Sequence, residues 1–166
     1  MAVTVADIVD PAEEFVPGQI EPKPFHREDI DPAGIVVSFD RRSDTLLIHL
    51  FGRGLETISV PVGSHLYALV TPETETTVGF QIEGFLAQAV IDDPEFITLL
   101  DYAELRGITP ADVRELQREA LGAKRSLARW RSGFSESVQE QKMRAVAAFI
   151  EAERAQGDLR FVPSVG

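Results

Sequence analysis

Residues 37–50 read VSFDRRSDTLLIHL, in which two apolar runs flank a charged loop with an aspartate at each end. The second run, from Leu46 to Leu50, alternates between two sets of side chains, and this period of two is typical of a β-strand. The aspartates, Asp40 and Asp44, raise the question of function, because a carboxylate pair can bind a metal, perform acid–base catalysis or form a turn.

Arg41, Arg42 and Ser43 separate the two aspartates and favour the turn. Two neighbouring cations disfavour a divalent metal, whereas Asp and Ser side chains readily bond to nearby backbone N–H groups in turns. We therefore predict that Asp40 and Asp44 are structural. We identify no catalytic residue, no metal ligand and no cofactor site in the sequence.

Apolar residues with the same period predict four more strands around this one. They lie near 37–39, 58–62, 66–70 and 78–82, and turn residues separate them at 40–44, 51–54, 61–64 and 71–75. Links this short cannot hold the crossover connections that parallel strands require. The sequence therefore predicts a five-stranded antiparallel meander whose second face also carries apolar side chains, namely Leu47, Phe51, Tyr67 and Leu69.

The period changes from two to that of a helix after residue 84. Residues 85–91 can form a short helix, and Asp93-Pro94 starts a second one that ends before Gly107. Thr109-Pro110 then begins a long helix with Asp112 in the capping-box position, and Ser135 begins another after Gly133. These two long helices predict an αα-hairpin, and the fold class is α+β with a short helical region between the sheet and the hairpin.

The hairpin leaves apolar surface that one chain does not cover. The first long helix has a heptad seam from Val113 to Trp130, which satisfies one neighbouring helix. The second has two adjacent apolar stripes, one of which includes Val146 and Ile150. Because large exposed apolar patches are rare on monomers, we predict a homodimer in which two hairpins form a four-helix bundle.

Charge, proline content and the change of apolar period together divide the chain into four regions. Residues 1–33 predict a flexible, acidic arm, because their apolar residues are sparse and follow no period. Residues 34–92 form the β domain, 93–157 the helical region and 158–166 a C-terminal tail.

The composition restricts the classes of function. The chain of 166 residues has a net charge of −11, which argues against a nucleic-acid-binding protein. It has no cysteine and no stretch long and apolar enough to cross a membrane, and its acidic N-terminus does not resemble a signal peptide. A cytoplasmic location is therefore expected.

The three histidines and one basic stretch are the remaining candidates for a site. His26, His49 and His65 lack a further ligand at compelling spacing, so we do not predict zinc. The basic stretch comprises Lys124, Arg125, Arg129, Trp130 and Arg131. It can contact phosphates and a base, bind an acidic partner or the acidic arm, or form the solvated flank of a helix, and the last interpretation fits the heptad seam.

Three short motifs resemble those of a bacterial and archaeal protein family of unknown function. They are FD at 39–40, DTLLIHL at 44–50 and VGFQIE at 78–83, and the match covers about residues 37–85. The family's sequences carry tyrosine–aspartate, three residues, aspartate and a leucine–tyrosine–isoleucine strand; Leu47 replaces that second tyrosine here. The resemblance implies a small antiparallel β-fold, sometimes encoded beside toxin-like genes, and no established activity.

These features together favour a non-enzymatic protein-binding or regulatory protein, with an antitoxin-like role implied by the resemblance. The first alternative is a nucleic-acid-associated regulator that uses the basic stretch at 124–131. The second alternative is an enzyme whose site the sequence does not reveal. The expected partners are a second copy of the chain and another protein.

Overall fold

Six strands form one mixed sheet in the computed structural model, which describes residues 20–122 and 137–155. The strands are β1 (Val36–Asp40), β2 (Thr45–His49), β3 (Ile58–Pro61), β4 (Leu66–Val70), β5 (Thr77–Glu83) and β6 (Ala103–Arg106). Their order across the sheet is β3-β4-β5-β2-β1-β6; only β1 and β6 run parallel, and the other neighbours are antiparallel. The α+β class is confirmed, but the five-stranded antiparallel meander is wrong.

The segment between β2 and β3 explains why the strands do not follow chain order. Residues 50–57 cross from β2 past two strands to the edge of the sheet, and β3, β4 and β5 then lead back until β5 pairs with β2. The crossing covers three strand spacings, roughly 14 Å, which is within reach of this segment. Gly52 and Gly54, with φ angles of 82° and 99°, allow the chain to bend there.

Helices follow β5 and make a second layer. A π-helical turn (Phe85–Ala89) continues into α1 (Val90–Asp92), and a 3₁₀ helix (Pro94–Tyr102) precedes β6. The α-helices α2 (Pro110–Leu121) and α3 (Val138–Ala155) complete the layer. The predicted capping box is present at α2, but residues 123–136 lie outside the described residues, so the αα-hairpin stays a prediction.

Strand β6 occupies residues that the sequence assigned to a helix ending before Gly107. The helix instead ends at Tyr102, and the next four residues pair with β1. Alanine, glutamate, leucine and arginine are all good helix formers, so their local preference predicts helix. Pairing along the exposed edge of β1 outweighs that preference.

The core lies between one face of the sheet and the helical layer. Phe39 of β1 packs on Phe85 with ring centroids 5.7 Å apart, and Phe96 of the 3₁₀ helix packs on Phe149 of α3 at 4.8 Å. Inward side chains of the strands, including Leu46, are completely buried in the same cluster. The opposite face of the sheet, here called the second face, is left without a helical layer among the described residues.

The apolar stripe that motivated the four-helix bundle is covered within the chain. Val146 and Ile150 are 1% and 6% exposed and belong to the core cluster. Helix α3 packs on the 3₁₀ helix, which the sequence treated only as a linker. The stripe is therefore no reason for a bundle, and the homodimer remains an untested prediction.

Residues 20–33, assigned by sequence to the flexible arm, lie against the sheet. Phe25 and Ile30 are buried in the core cluster. The N–H of Lys23 donates to the Glu75 carbonyl at 2.8 Å, and the N–H of Thr77 donates to the Lys23 carbonyl at 3.0 Å. A few well-placed apolar residues thus dock this segment, while residues 1–19 lie outside the described part of the chain.

Candidate functional site

Asp40 and Asp44 form hydrogen bonds that fix the β1–β2 turn and the helix after β5. Oδ1 of Asp40 accepts the N–H of Arg42 at 3.0 Å. Asp44 has a φ of 53°, in the left-handed region that Asp tolerates better than most residues. Its two carboxylate oxygens accept the N–H groups of Leu86 and Ala87 at 2.8 and 3.0 Å. Asp40 therefore acts as a turn residue, as predicted, whereas the Asp44 carboxylate caps the helix after β5, a contact that the sequence did not indicate.

A cavity of about 440 Å³ opens on the second face beside this turn. Its walls come from β1, β2, β5 and β6, and from the segment that connects β2 to β3. The lining residues are Ser38, Phe39, Asp40, Ser43, Thr45, Leu47, Arg53, Gln81, Glu104, Leu105 and Arg106. We call this site the second-face cavity.

Strand register brings the floor of the second-face cavity together. Ser38 pairs with Leu47 on one side and with Glu104 on the other, and Leu47 pairs with Gln81. Residues in register on neighbouring strands point to the same face, so these four side chains form one row across four strands. The row consists of one charged, two polar and one apolar side chain, and the apolar one, Leu47, is only half-buried.

Four charged side chains line the second-face cavity, two of each sign. Arg53, from the β2–β3 connection, forms an ion pair with Glu104 of β6. Asp40 is the register partner of Arg106. Because Arg53 and Glu104 are both more than half exposed, their pair adds little to stability, and its charges are accessible to a partner. The cavity is suited to a polar partner that supplies both hydrogen-bond donors and acceptors, or both charges.

Hydrogen bonds along the sheet hold the amide of Gln81 at the cavity. Its Oε1 accepts from the Ser59 hydroxyl at 3.2 Å, and its Nε2 donates to Oε1 of Glu83 at 3.1 Å. At the turn, the Thr45 hydroxyl donates to the Ser43 carbonyl at 3.2 Å. These bonds fix the positions of polar groups before any partner arrives, which lowers the entropy cost of binding.

His49 lies at the end of β2 on the same face, in register with Gly79 of β5. Its Nδ1 atom is buried and has no hydrogen-bond partner within the described residues. Burial and, to a smaller degree, the nearby positive charge of Arg53 lower the pKa of the His49 imidazole below its ordinary value. The neutral imidazole is therefore the form that this site favours.

The lowered pKa of His49 predicts a loss of stability on acidification. The unfolded chain takes up a proton near its ordinary pKa, while the folded chain resists it, so the unfolded state binds more protons between the two pKa values. The free energy of unfolding should therefore fall as the pH drops below about 7.5, and it should fall less in His49→Gln. Urea titrations at several pH values measure both slopes.

The exposed histidine His26 provides the matched control for this measurement. Its imidazole lies 3.8 Å from Glu28 at the surface, and both side chains are more than half exposed. His26→Gln controls for the substitution itself and should change the free energy of unfolding at neutral pH by about 0.5 kcal/mol or less. A His49→Gln variant with an unchanged slope would mean that other groups cause the pH dependence.

The other sequence candidates contribute no site to the described structure. Within residues 20–122 and 137–155, no group of three or more His, Asp or Glu side chains could hold a metal ion. His65 places its Nδ1 atom 3.1 Å from the Ser64 hydroxyl. The basic stretch with Lys124, Arg125, Arg129, Trp130 and Arg131 lies outside the described residues.

Sequence analysis missed the second-face cavity for identifiable reasons. Ser38, Thr45 and Gln81 occupy second-face positions of predicted strands, so their alternation with core residues was a usable signal. Arg53 was interpreted only as part of a turn. Glu104 had no signal at all, because its segment has the composition of a helix.

Comparison with protein-family models finds no match, and comparisons with curated proteins and with solved structures find no significant similarity. The resemblance of residues 37–85 to a small β-fold family therefore stays a prediction. No helix in the described part of the chain is long and apolar enough to span a membrane.

Proposed function

We propose that this chain is a non-enzymatic binding or regulatory protein that recognises a protein partner through the second-face cavity. The observation that carries the proposal is the balanced lining of the cavity, with two carboxylates and two guanidinium groups around a floor of hydroxyl, amide and leucine side chains. Such a surface offers hydrogen bonds of both kinds to a polypeptide, and Arg53 in particular belongs to the residue types enriched in protein interfaces.

The roles of Asp40 and Asp44 support a binding function over a catalytic one for this turn. The carboxylate of Asp44 is engaged with two backbone N–H groups of the following helix, and that of Asp40 with the N–H of Arg42. Among the other lining charges, Glu104 is engaged in an ion pair with Arg53. An antitoxin-like role, implied by the family resemblance, belongs to this proposal, and the partner would then be the product of a neighbouring gene.

The proposal predicts that filling the second-face cavity abolishes partner binding without unfolding the chain. Ser38 is a half-buried residue on the cavity floor, and an arginine there would occupy the cavity and pair with Glu104. The tagged Ser38→Arg variant and the unmodified chain are used as bait in extracts of the native host. The co-purified proteins are compared quantitatively, and a partner is expected to drop by about tenfold or more.

Ser64→Arg serves as the matched control, because Ser64 is exposed and does not line the second-face cavity. This variant should retain the partner, and all three proteins should have similar melting temperatures. Retention of the partner by Ser38→Arg would place the interface elsewhere. Recovery of nucleic acid, with binding that weakens steeply as salt is added, would favour the alternative based on the basic stretch.

A further inference from the structure

The two edges of the sheet differ in how they are protected. At the β3 edge, the Val62 N–H donates to the Leu66 carbonyl, so the backbone groups of Val62 face β4. Because this orientation alternates along a strand, the backbone groups of Ser59 and Pro61 face away from the sheet. Proline has no N–H to donate, so Pro61 weakens this edge as a template for another strand.

The β6 edge contains no proline, so each of its four residues keeps its backbone N–H. The N–H of Arg41 donates to the Arg106 carbonyl at 3.0 Å, so the backbone groups of Arg106 face β1. In a parallel pair alternate residues face the neighbour, so Glu104 also faces β1 while Leu105 faces away. With its backbone groups turned away from β1, Leu105 also forms no backbone hydrogen bond in the turns, loops and caps of the described residues.

We propose that β6 pairs antiparallel with β6 of a second copy of this chain, joining the two sheets about a two-fold axis at Leu105. The N–H of each Leu105 would donate to the carbonyl of the other. A two-fold axis perpendicular to the sheet places the same face of both copies on the same side of the joined sheet. Glu104 and Arg106 of both copies therefore lie on the second face.

Charge selects this register over its neighbours. With the axis at Leu105, Glu104 of each copy lies opposite Arg106 of the other, in the closely spaced type of cross-strand pair. The outward backbone groups still pair if the register shifts by two residues in either direction. Such a shift moves the two-fold axis from Leu105 to Glu104 or to Arg106. The first shift puts two glutamates opposite each other, and the second puts two arginines opposite each other, so both are disfavoured.

The proposed pairing also changes the second-face cavity. Glu104, Leu105 and Arg106 all line that cavity, so the two cavities would lie side by side across the new join. Glu104 would then lie between Arg53 of its own chain and Arg106 of the second copy. The second copy therefore adds a residue to the wall of each cavity, and this does not depend on which partner the cavity binds.

Two charge variants test the pairing. The Glu104→Arg chain carries two arginines on β6, and the Arg106→Glu chain carries two glutamates, so each should self-associate about tenfold more weakly than the unmodified chain. An equimolar mixture restores opposite charges at every cross-strand pair, and it should form a heterodimer. Analytical ultracentrifugation should extend to roughly 200 µM, because a four-residue edge buries little area.

Amide hydrogen exchange gives a second readout on the unmodified chain. The Leu105 amide should exchange quickly in dilute protein and slow as concentration rises, whereas the Glu104 and Arg106 amides, bonded to β1, should be protected throughout. Glu83→Arg, an exposed change on the same face but away from β6, should leave association unchanged. A monomer at the highest concentration, a dimer insensitive to both charge variants, or a Leu105 amide protected at every concentration would overturn the proposal.

Discussion

Replacing Gly79 with alanine is expected to lower the free energy of unfolding by about 4 kcal/mol, a large part of the total stability of an ordinary domain. A β-carbon at this position would overlap the carbonyl oxygen of Ile48 on β2 and would lie 3.2 Å from Cδ1 of Leu69. The obstacle is a backbone atom in the centre of the sheet, so no side-chain rotation can relieve the overlap.

The position of Gly79 in the topology makes the loss large. In the sheet formed by the described residues, β5 lies between β4 and β2 and so joins the β1–β2 hairpin to the strands β3 and β4. To admit a methyl group at position 79, β5 must move away from β2, where His49 pairs with Gly79 and Ile48 with Phe80. Opening that ladder exposes the core beneath it and separates the two halves of the sheet.

Gly54→Ala is the matched control for this variant. Gly54 has a φ of 99°, and a β-carbon there meets no atom within 4 Å, so only backbone strain of about 1 kcal/mol is expected. Urea unfolding followed by far-UV circular dichroism compares both variants with the unmodified chain. Equal losses for the two variants would show that the overlap at Gly79 relaxes without opening the ladder.

Features that depend on neighbouring residues in the sequence were predictable. The β1–β2 hairpin follows from strand periodicity and the turn chemistry between Asp40 and Asp44, and Asp40 hydrogen-bonds within the turn as predicted. The start of α2 follows from Thr109 and Asp112, whose side chains cap it reciprocally. In each case the deciding interactions join residues that the sequence pattern already groups.

Features that depend on distant pairing were not predictable. Short turns predict that successive strands are neighbours, yet β2 lies beside β5 because residues 50–57 are long enough to cross the sheet. The composition of β6 favours a helix, and only the free edge of β1 makes it a strand. The second-face cavity depends on both errors, because Arg53 lies in the crossing segment and Glu104 in β6.

Residues 20–33 were likewise assigned from local composition, as part of a flexible arm. Because they dock on the sheet, a mutation of a buried residue there is expected to destabilise the fold. Phe25→Ala is expected to lower the free energy of unfolding by about 3 kcal/mol, within the range for buried phenylalanines. Phe25 is 5% exposed, and its ring meets that of Phe80 edge to face at a centroid distance of 6.2 Å. Phe80 belongs to β5, so the segment is anchored on the central part of the sheet.

Backbone hydrogen bonds of the same segment reinforce the anchor at Phe25. The backbone of Lys23 hydrogen-bonds to Glu75 and Thr77, the residues on either side of Thr76. This strand-like bridge holds the ring of Phe25 at the sheet in addition to its own burial. The neighbouring exposed residue provides the control, and His26→Ala should change the stability by about 0.5 kcal/mol or less. Thermal and urea unfolding of both variants distinguish a docked segment from a mobile one.

A mobile segment would give two small and equal effects, and a chain starting at Ala33 would then melt at nearly the same temperature as the complete one. A docked segment instead predicts that the shortened chain loses the burial of Phe25 and Ile30 together and melts many degrees lower.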